Sequence, residues 1–197
     1  LTGTITPSDS TVSLAKLTAT GTKDATTFLR GDNTFNAPPN TGLTEVDQWR
    51  LTANLTDPGD ADITANLERV DDAAFSKIGT GMSLSSGIYT FPSTGVYRIQ
   101  FIGHFYIPSG NDGAAIVLTM ASSDSGSNYD TMAEGIAGST AGGQLYNTHP
   151  SECFVNVTNA STFRVKFRTS SMAATVLVGS TDSNTTSFSF IRLGDSQ

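Results

Sequence analysis

The chain has 197 residues, of which 37% are hydrophobic and 15% charged, and it carries a net charge of −7 at pH 7. That length sets the scale at one or two domains, and the acidic balance argues against a nucleic-acid partner, which needs a basic face. Ser and Thr make up about a quarter of the residues and Gly adds 19, a profile that favours pleated strands and turns over helices.

The one cysteine, Cys153, excludes an internal disulfide framework. No run of about 18 apolar residues provides a transmembrane helix, so no membrane insertion is expected. No basic stretch followed by an apolar core opens the chain as a secretory leader would. The sequence starts at Leu1 rather than Met, which suggests a fragment or a processed product.

In chain order, residues 1–41 come first, rich in Thr, Ser, Gly and Asn, with only Phe28 and Phe35 as aromatics. Alone, such a segment buries too little apolar surface to offset its ordering entropy. It is expected to be flexible or to form an extended stalk or arm that packs against copies of itself through Val12, Leu14, Leu17, Phe28 and Leu29. Within it, Phe28, Leu29, Arg30, Gly31, Asp32 and Phe35 form a junction around an Arg-Gly-Asp tripeptide. The structural reading is a turn, with Gly31 supplying an unrestricted φ and Asp32 bonding its own backbone; integrin-type adhesion is the alternative. Pro38-Pro39 then marks a boundary, because proline supplies no ladder donor.

Residues 42–197 read as a separate all-β head. Strands are expected at 96–107, 114–120, 153–158, 162–169, 174–179 and 186–194. In TFRVKFRT, Phe163, Val165 and Phe167 face one way and Arg164, Lys166 and Arg168 the other. The run at 96–107 becomes apolar nearly throughout, as expected of a strand buried on both faces at its far end. The best helix candidate is 63–70, one or two turns long. Turn clusters at 92–95, 108–113, 122–128, 141–143 and 181–184 separate the strands, the pattern of a β-sandwich or barrel.

The run GMSLSSGIYTFPSTGVYRIQFIGHFYI, residues 81–107, carries Gly87, Tyr89, Phe91, Pro92, Gly95 and Tyr97 ahead of a long apolar strand. It resembles the paired central strands of the complement one-q and tumour-necrosis-factor head family. SFSFIRLG at 187–194 is similar to that family's closing strand, although Ile191 and Arg192 stand where the family interrupts with Gly. The resemblance spans roughly residues 47–194 and implies a jelly-roll head assembled as a homotrimer about a threefold axis. Trp49, Tyr97, Phe101, Phe105, Phe188 and Phe190, with Tyr106, are then candidates for the protomer core or the trimer interface.

The N-terminal run SLAKLTATGTKDATTFLRGDNTFNAPP, residues 13–39, resembles the linkers that precede head domains in bacteriophage tail fibres, through Phe28, Leu29, Arg30, Gly31, Asp32, Thr34 and Phe35. With the marine-phage or cyanophage character of residues 49–72, it implies a virion appendage assembled in the bacterial host cytoplasm.

Motifs for catalysis are missing. There is no nucleophile elbow, no His-Glu-x-x-His and no paired cysteine spacing. His104 reads as a core or interface histidine and His149 as a solvated loop residue. Asp57, Asp60 and Asp62 in DPGDAD are a weak calcium candidate, against a solvated turn built on Pro58-Gly59. The sequons at Asn54, Asn156, Asn159 and Asn184 are expected in so polar a chain. No cofactor is expected.

Three readings follow. In the first, the protein is a non-enzymatic fibre or receptor-binding protein whose loops at 108–113, 122–130 and 138–147 contact a host glycan or receptor, with Asn111, Asp112, Asn128, Tyr129, Gln144 and Tyr146 as candidate contacts. In the second, it is a capsid decoration or head-fibre protein anchored to other virion proteins by residues 1–41. The third, a capsule depolymerase, ordinarily needs a longer β-helix with carboxylates along a groove.

Overall fold

The computed structural model describes residues 18–37, 42–108, 114–138 and 143–197. The chain divides into two compact units, Leu1–Gly42 and Leu43–Gln197.

In the first unit, β1 (Phe28–Leu29) and β2 (Phe35–Asn36) form an antiparallel hairpin with Leu29 opposite Phe35. The Arg-Gly-Asp tripeptide enters its turn. Arg30 N donates to Thr34 O at 2.8 Å and Asn33 N to Arg30 O at 3.1 Å. Asp32 Oδ1 accepts from Thr34 Oγ1 at 2.6 Å and from Thr34 N at 3.1 Å. The left-handed residue is Asn33, at φ 60, and not the expected Gly31; asparagine tolerates that conformation because its short polar side chain bonds locally.

The second unit is a two-sheet jelly roll. Its strands are β3 (Val46–Leu51), β4 (Leu55–Thr56), β5 (Ala61–Asp62), β6 (Leu67–Arg69), β7 (Ser83–Ser85), β8 (Ile88–Thr90) and β9 (Gly95–Ile107). The remainder are β10 (Ala115–Ser122), β11 (Asp130–Ala137), β12 (Leu145–Val157), β13 (Arg164–Ser170), β14 (Val176–Leu177) and β15 (Ser187–Gly194). One sheet runs β11-β10-β13-β8-β7 with β5 also on β13; the other runs β4-β14-β9-β15-β3-β6 with β12 also on β9. Every pairing within them is antiparallel.

β9 is the spine of the second sheet. β12 pairs with it along its whole length, from Leu145 opposite Ile107 to Val157 opposite Gly95. Its other edge is shared between β15 and β14. Val165 and Phe167 of β13 enter the core beside Phe163, as the alternation requires. β9 alternates to its end and is not buried on both faces: Phe101, Phe105 and Ile107 are fully buried, whereas Ile102, His104 and Tyr106 are only half-buried.

The core is an aromatic stack between the sheets. Phe167 and Phe188 centroids lie 4.5 Å apart, Phe101 and Phe188 4.7 Å, Phe91 and Tyr97 4.8 Å, and Tyr89 and Phe190 5.0 Å. Such rings contribute large buried area and favour tilted and edge-on contacts.

Four further expectations are corrected. Residues 63–70 form no helix: Asn66 sits at φ 58 and reverses the chain, and Leu67–Arg69 pairs with β3. His149 lies in no loop but within β12, opposite Gly103. Pro150 is accommodated beside it because β12 is an edge strand. The strand expected at 174–179 shortens to Val176–Leu177, and the one expected at 153–158 begins eight residues earlier, at Leu145. Among the described residues no helix is long and apolar enough to cross a membrane.

Candidate binding surfaces

Trp49, Tyr97, Phe101, Phe105, Phe188 and Phe190 all lie inside the protomer, each at most 7% exposed. Tyr106 instead stands on the outer face of the second sheet. There it meets Tyr146 at 4.9 Å between ring centroids, and Tyr146 stacks on His104 at 6.0 Å. The register explains this group, because Tyr146 is opposite Tyr106 and Thr148 opposite His104. His104 Nδ1 and Thr148 Oγ1 are 2.7 Å apart. Further along the same face, Glu152 accepts from Arg98 and, at 2.8 Å, from Gln100 Nε2.

The lateral edge beside this face is apolar. β11 ends one sheet and β12 lies at the margin of the other, and consecutive β11 and β12 cross closely. At the crossing, a Cβ on Gly135 would lie 2.6 Å from the Pro150 carbonyl oxygen, so only glycine permits the approach. Met132, Ile136, Tyr146 and Phe154 are exposed on these two strands, Tyr146 at 63% and Phe154 at 58%. Phe154 also borders a shallow cleft of about 210 Å³ shared with Asp130, Met132 and Asn156. The sequence reading missed this edge, because outward apolar residues on an edge strand look like core residues.

The loop at 122–130 is tied internally. Asp124 Oδ1 accepts from Ser122 Oγ at 2.6 Å and from Asn128 N at 3.0 Å, and Asn128 Nδ2 donates to Asp124 Oδ2 at 2.7 Å. These bonds, the Ser122 hydroxyl first, lower the Asp124 carboxyl pKa to about 2. Tyr129 is half-buried and its ring lies under Lys166 Nζ at 4.3 Å. Asn128 and Tyr129 are therefore occupied by their own neighbourhood. Gln144 and Tyr146 are exposed, with Tyr146 in β12 and not in the loop expected of it, while Asn111 and Asp112 lie outside the described residues.

The acidic trio does not converge. Asp60 Oδ1 accepts from Ser171 N at 2.7 Å. Asp62 is bridged by Lys166 Nζ at 2.9 Å and Arg168 Nη1 at 3.1 Å. Burial opposes the charge on Asp62, but the two cations outweigh it and hold its pKa low. Asp57 sits in the left-handed region at φ 46. Among the described residues no three His, Cys, Asp or Glu side chains gather in a metal-binding group. Cys153 is buried, and burial pushes its thiol up to about 11, far from the thiolate a nucleophile requires.

No protein-family model matches the sequence, and no curated protein matches it. Solved structures do match in fold. Eiger TNF from S. frugiperda aligns with TM-score 0.59 at 12% identity, over 79% of this chain and 96% of that one. Murine APRIL at pH 5.0 aligns with TM-score 0.55 at 13% identity, over 76% of this chain and 98% of that one. The chain carries an all-β, tumour-necrosis-factor-like jelly roll.

Proposed function

We propose that the protein is a non-enzymatic attachment protein, a homotrimeric jelly-roll head borne on a phage virion that contacts the host surface. The observation that carries the reading is the pair of exposed surfaces meeting at β12: the apolar edge of Met132, Ile136 and Phe154, and the aromatic face of Tyr106 and Tyr146. A closed ring needs two different patches on each copy, each fitted to the other. The edge of one copy against the face of the next supplies both, and it would cover apolar area that a free monomer exposes. Threefold association is also what the resemblance to the complement one-q and tumour-necrosis-factor heads implies.

A binding role rather than catalysis is supported by the engaged His104 and the buried Cys153. The phage setting rests on the fibre-like FLRGDNTF motif and its hairpin ahead of the head. Three copies multiply a weak contact by raising effective concentration. Sedimentation equilibrium at micromolar protein should give three times the protomer mass. Gold-labelled antibody to residues 43–197 should mark fibre tips on intact virions. A monomer would overturn the assembly. Label spread over the icosahedral shell would overturn host contact in favour of capsid decoration.

A further inference from the structure

β13 presents three cations on the outer face of its sheet, Arg164, Lys166 and Arg168, at alternate positions whose neighbours Val165 and Phe167 enter the core. Two of the three share the Asp62 carboxylate, Lys166 Nζ at 2.9 Å and Arg168 Nη1 at 3.1 Å. Arg164 differs. Its Nη1 donates to Phe163 O and its Nη2 to Ser161 O, each at 2.8 Å, and among the described residues no carboxylate forms an ion pair with it. The two carbonyls fix the plane of the guanidinium. They take two of its five N–H donors and leave the other three for a ligand.

The surroundings of Arg164 form a cleft of about 400 Å³. Thr90 sits directly opposite Arg164 on β8, and Ser83 opposite Thr90 on β7, so one rung carries two hydroxyls and the cation. Ser85 and Ser86 add hydroxyls, and Leu84 and Ile88 supply apolar wall. The loop between β7 and β8 is a two-residue turn with Ser86 at φ 49 and Gly87 at φ 79, the mirror-image geometry that suits a twisted hairpin. A Cβ on Gly87 would lie 2.3 Å from Ile63 O, so the turn at one end of the cleft is pressed onto the body. The lining holds one positive charge and no carboxylate, in a chain of net charge −7.

We infer that this cleft binds a carboxylated pyranose, the acidic sugar unit of a surface polysaccharide. Arg164 takes the carboxylate, which matches the planar fork of a guanidinium better than an ammonium would. The hydroxyls of Ser83, Ser85 and Thr90 exchange hydrogen bonds with the ring hydroxyls, and Leu84 and Ile88 lie against the C–H face of the sugar. Clefts of roughly 300–1,000 Å³ with an apolar wall and a few fixed polar groups are the usual form of small-ligand sites. The inference rests on the attachment reading only for the source of the sugar.

The test titrates methyl glucuronide and methyl glucoside into isotope-labelled protein and follows the backbone amides of residues 83–90 and 164. The expected result is a shift of these amides by the glucuronide, with the neutral glucoside at least tenfold weaker. Arg164→Gln should lower glucuronide affinity at least tenfold. Ser85→Trp, which fills the cleft and keeps the guanidinium, should do the same. Equal response to both sugars, or a glucuronide response that survives both variants, would overturn the site. Inorganic sulfate producing the same shifts at the same affinity would reduce it to a bare anion contact and overturn the sugar. Sedimentation of the same sample separates the two proposals. A trimer indifferent to glucuronide sinks the acidic sugar alone, and a monomer that binds it sinks the trimeric head alone.

Discussion

Arg69 grips Asp47 in a two-pronged contact inside the head, Nε to Oδ1 at 2.9 Å and Nη2 to Oδ2 at 3.1 Å, while its guanidinium lies 4.6 Å over the Trp49 ring. Asp47 is fully buried, and its Oδ2 also accepts from Trp49 Nε1 at 2.9 Å and Met82 N at 2.7 Å. One carboxylate thus ties β3 to β6 and to the segment leading into β7. Removing Asp47 strands the Trp49 and Met82 donors and leaves Arg69, one-third exposed, without its carboxylate, which costs about 3 kcal/mol, the low end for a broken buried pair. Asp47→Ala should lower the urea unfolding free energy by about that amount. A loss below about 1 kcal/mol would mean that water replaces the carboxylate.

Tyr89 and Tyr97 make a matched pair of opposite sign. Both are fully buried. Tyr97 Oη bonds to Ser93 Oγ and donates to Ser93 O, each at 3.0 Å, whereas Tyr89 Oη has no partner among the described residues. An orphaned buried hydroxyl keeps its desolvation cost, and a bonded one contributes about 1 kcal/mol. Tyr89→Phe should therefore leave stability unchanged or raise it by up to about 1 kcal/mol, and Tyr97→Phe should lower it by a similar amount. Thermal unfolding of the two variants in parallel checks the sign. Equal losses in both would show that the Tyr89 hydroxyl is satisfied by water.

The strands whose residues alternate between core and solvent were legible from sequence, β13 above all. Turn spacing pointed to a sandwich or barrel, and the jelly roll was implied by the family resemblance that the Gly87, Tyr89, Phe91 and Gly95 run carries. The failures have local causes. Ile63, Leu67 and Val70 fall at helical spacing, but the left-handed Asn66 between them turns the same residues into two extended pieces. β11 was not anticipated because Met132 and Ile136 point outward and the buried position between them is Gly135. Tyr129 and Asn128 have the composition of a sugar-binding loop, yet Lys166 and Asp124 occupy them. In the sequence Arg164 is one of three cations on the face opposite Phe163, Val165 and Phe167, with nothing to set it apart. Its isolation from Asp62 depends on where β5 ends, which spacing along β13 does not reveal.

The Ser122–Asn128 bonds make a pH prediction with a definite sign. The Asp124 carboxyl is held at about 2 in the folded state, below its ordinary value of 3.8. A depressed carboxyl favours folding above the unfolded pKa, and that contribution fades as pH falls from about 4 through about 2. The Asp124 carboxyl carbon should titrate near pH 2, and the protection of the Gly126 and Asn128 amides, taken relative to their intrinsic exchange rate at each pH, should fall over the same interval. Titration near pH 4 would show that the loop bonds do not hold the carboxylate in solution.

The assembly prediction uses charge placed where apolar contact is proposed. Phe154 and Met132 are exposed on β12 and β11, at 58% and 43%, so replacing either leaves the protomer core intact. Each substitution to Glu would bury an unpaired carboxylate in the proposed interface, a penalty of several kcal/mol per site that is repeated in all three copies. Phe154→Glu and Met132→Glu should each convert the trimer to a monomer at micromolar concentration, read by sedimentation. The isolated protomer should keep its β-sheet circular dichroism and its aromatic near-ultraviolet signal, because the Phe101, Phe167 and Phe188 stack is internal. Thr131→Glu, an exposed polar position next to Asp130 on the same strand, is the control and should stay trimeric. If Phe154→Glu and Met132→Glu both sediment as the parent does, copies do not meet at the β11–β12 edge. The aromatic group of Tyr106, Tyr146 and His104, at the other end of the β9–β12 pair from Phe154, would then have to supply the contact.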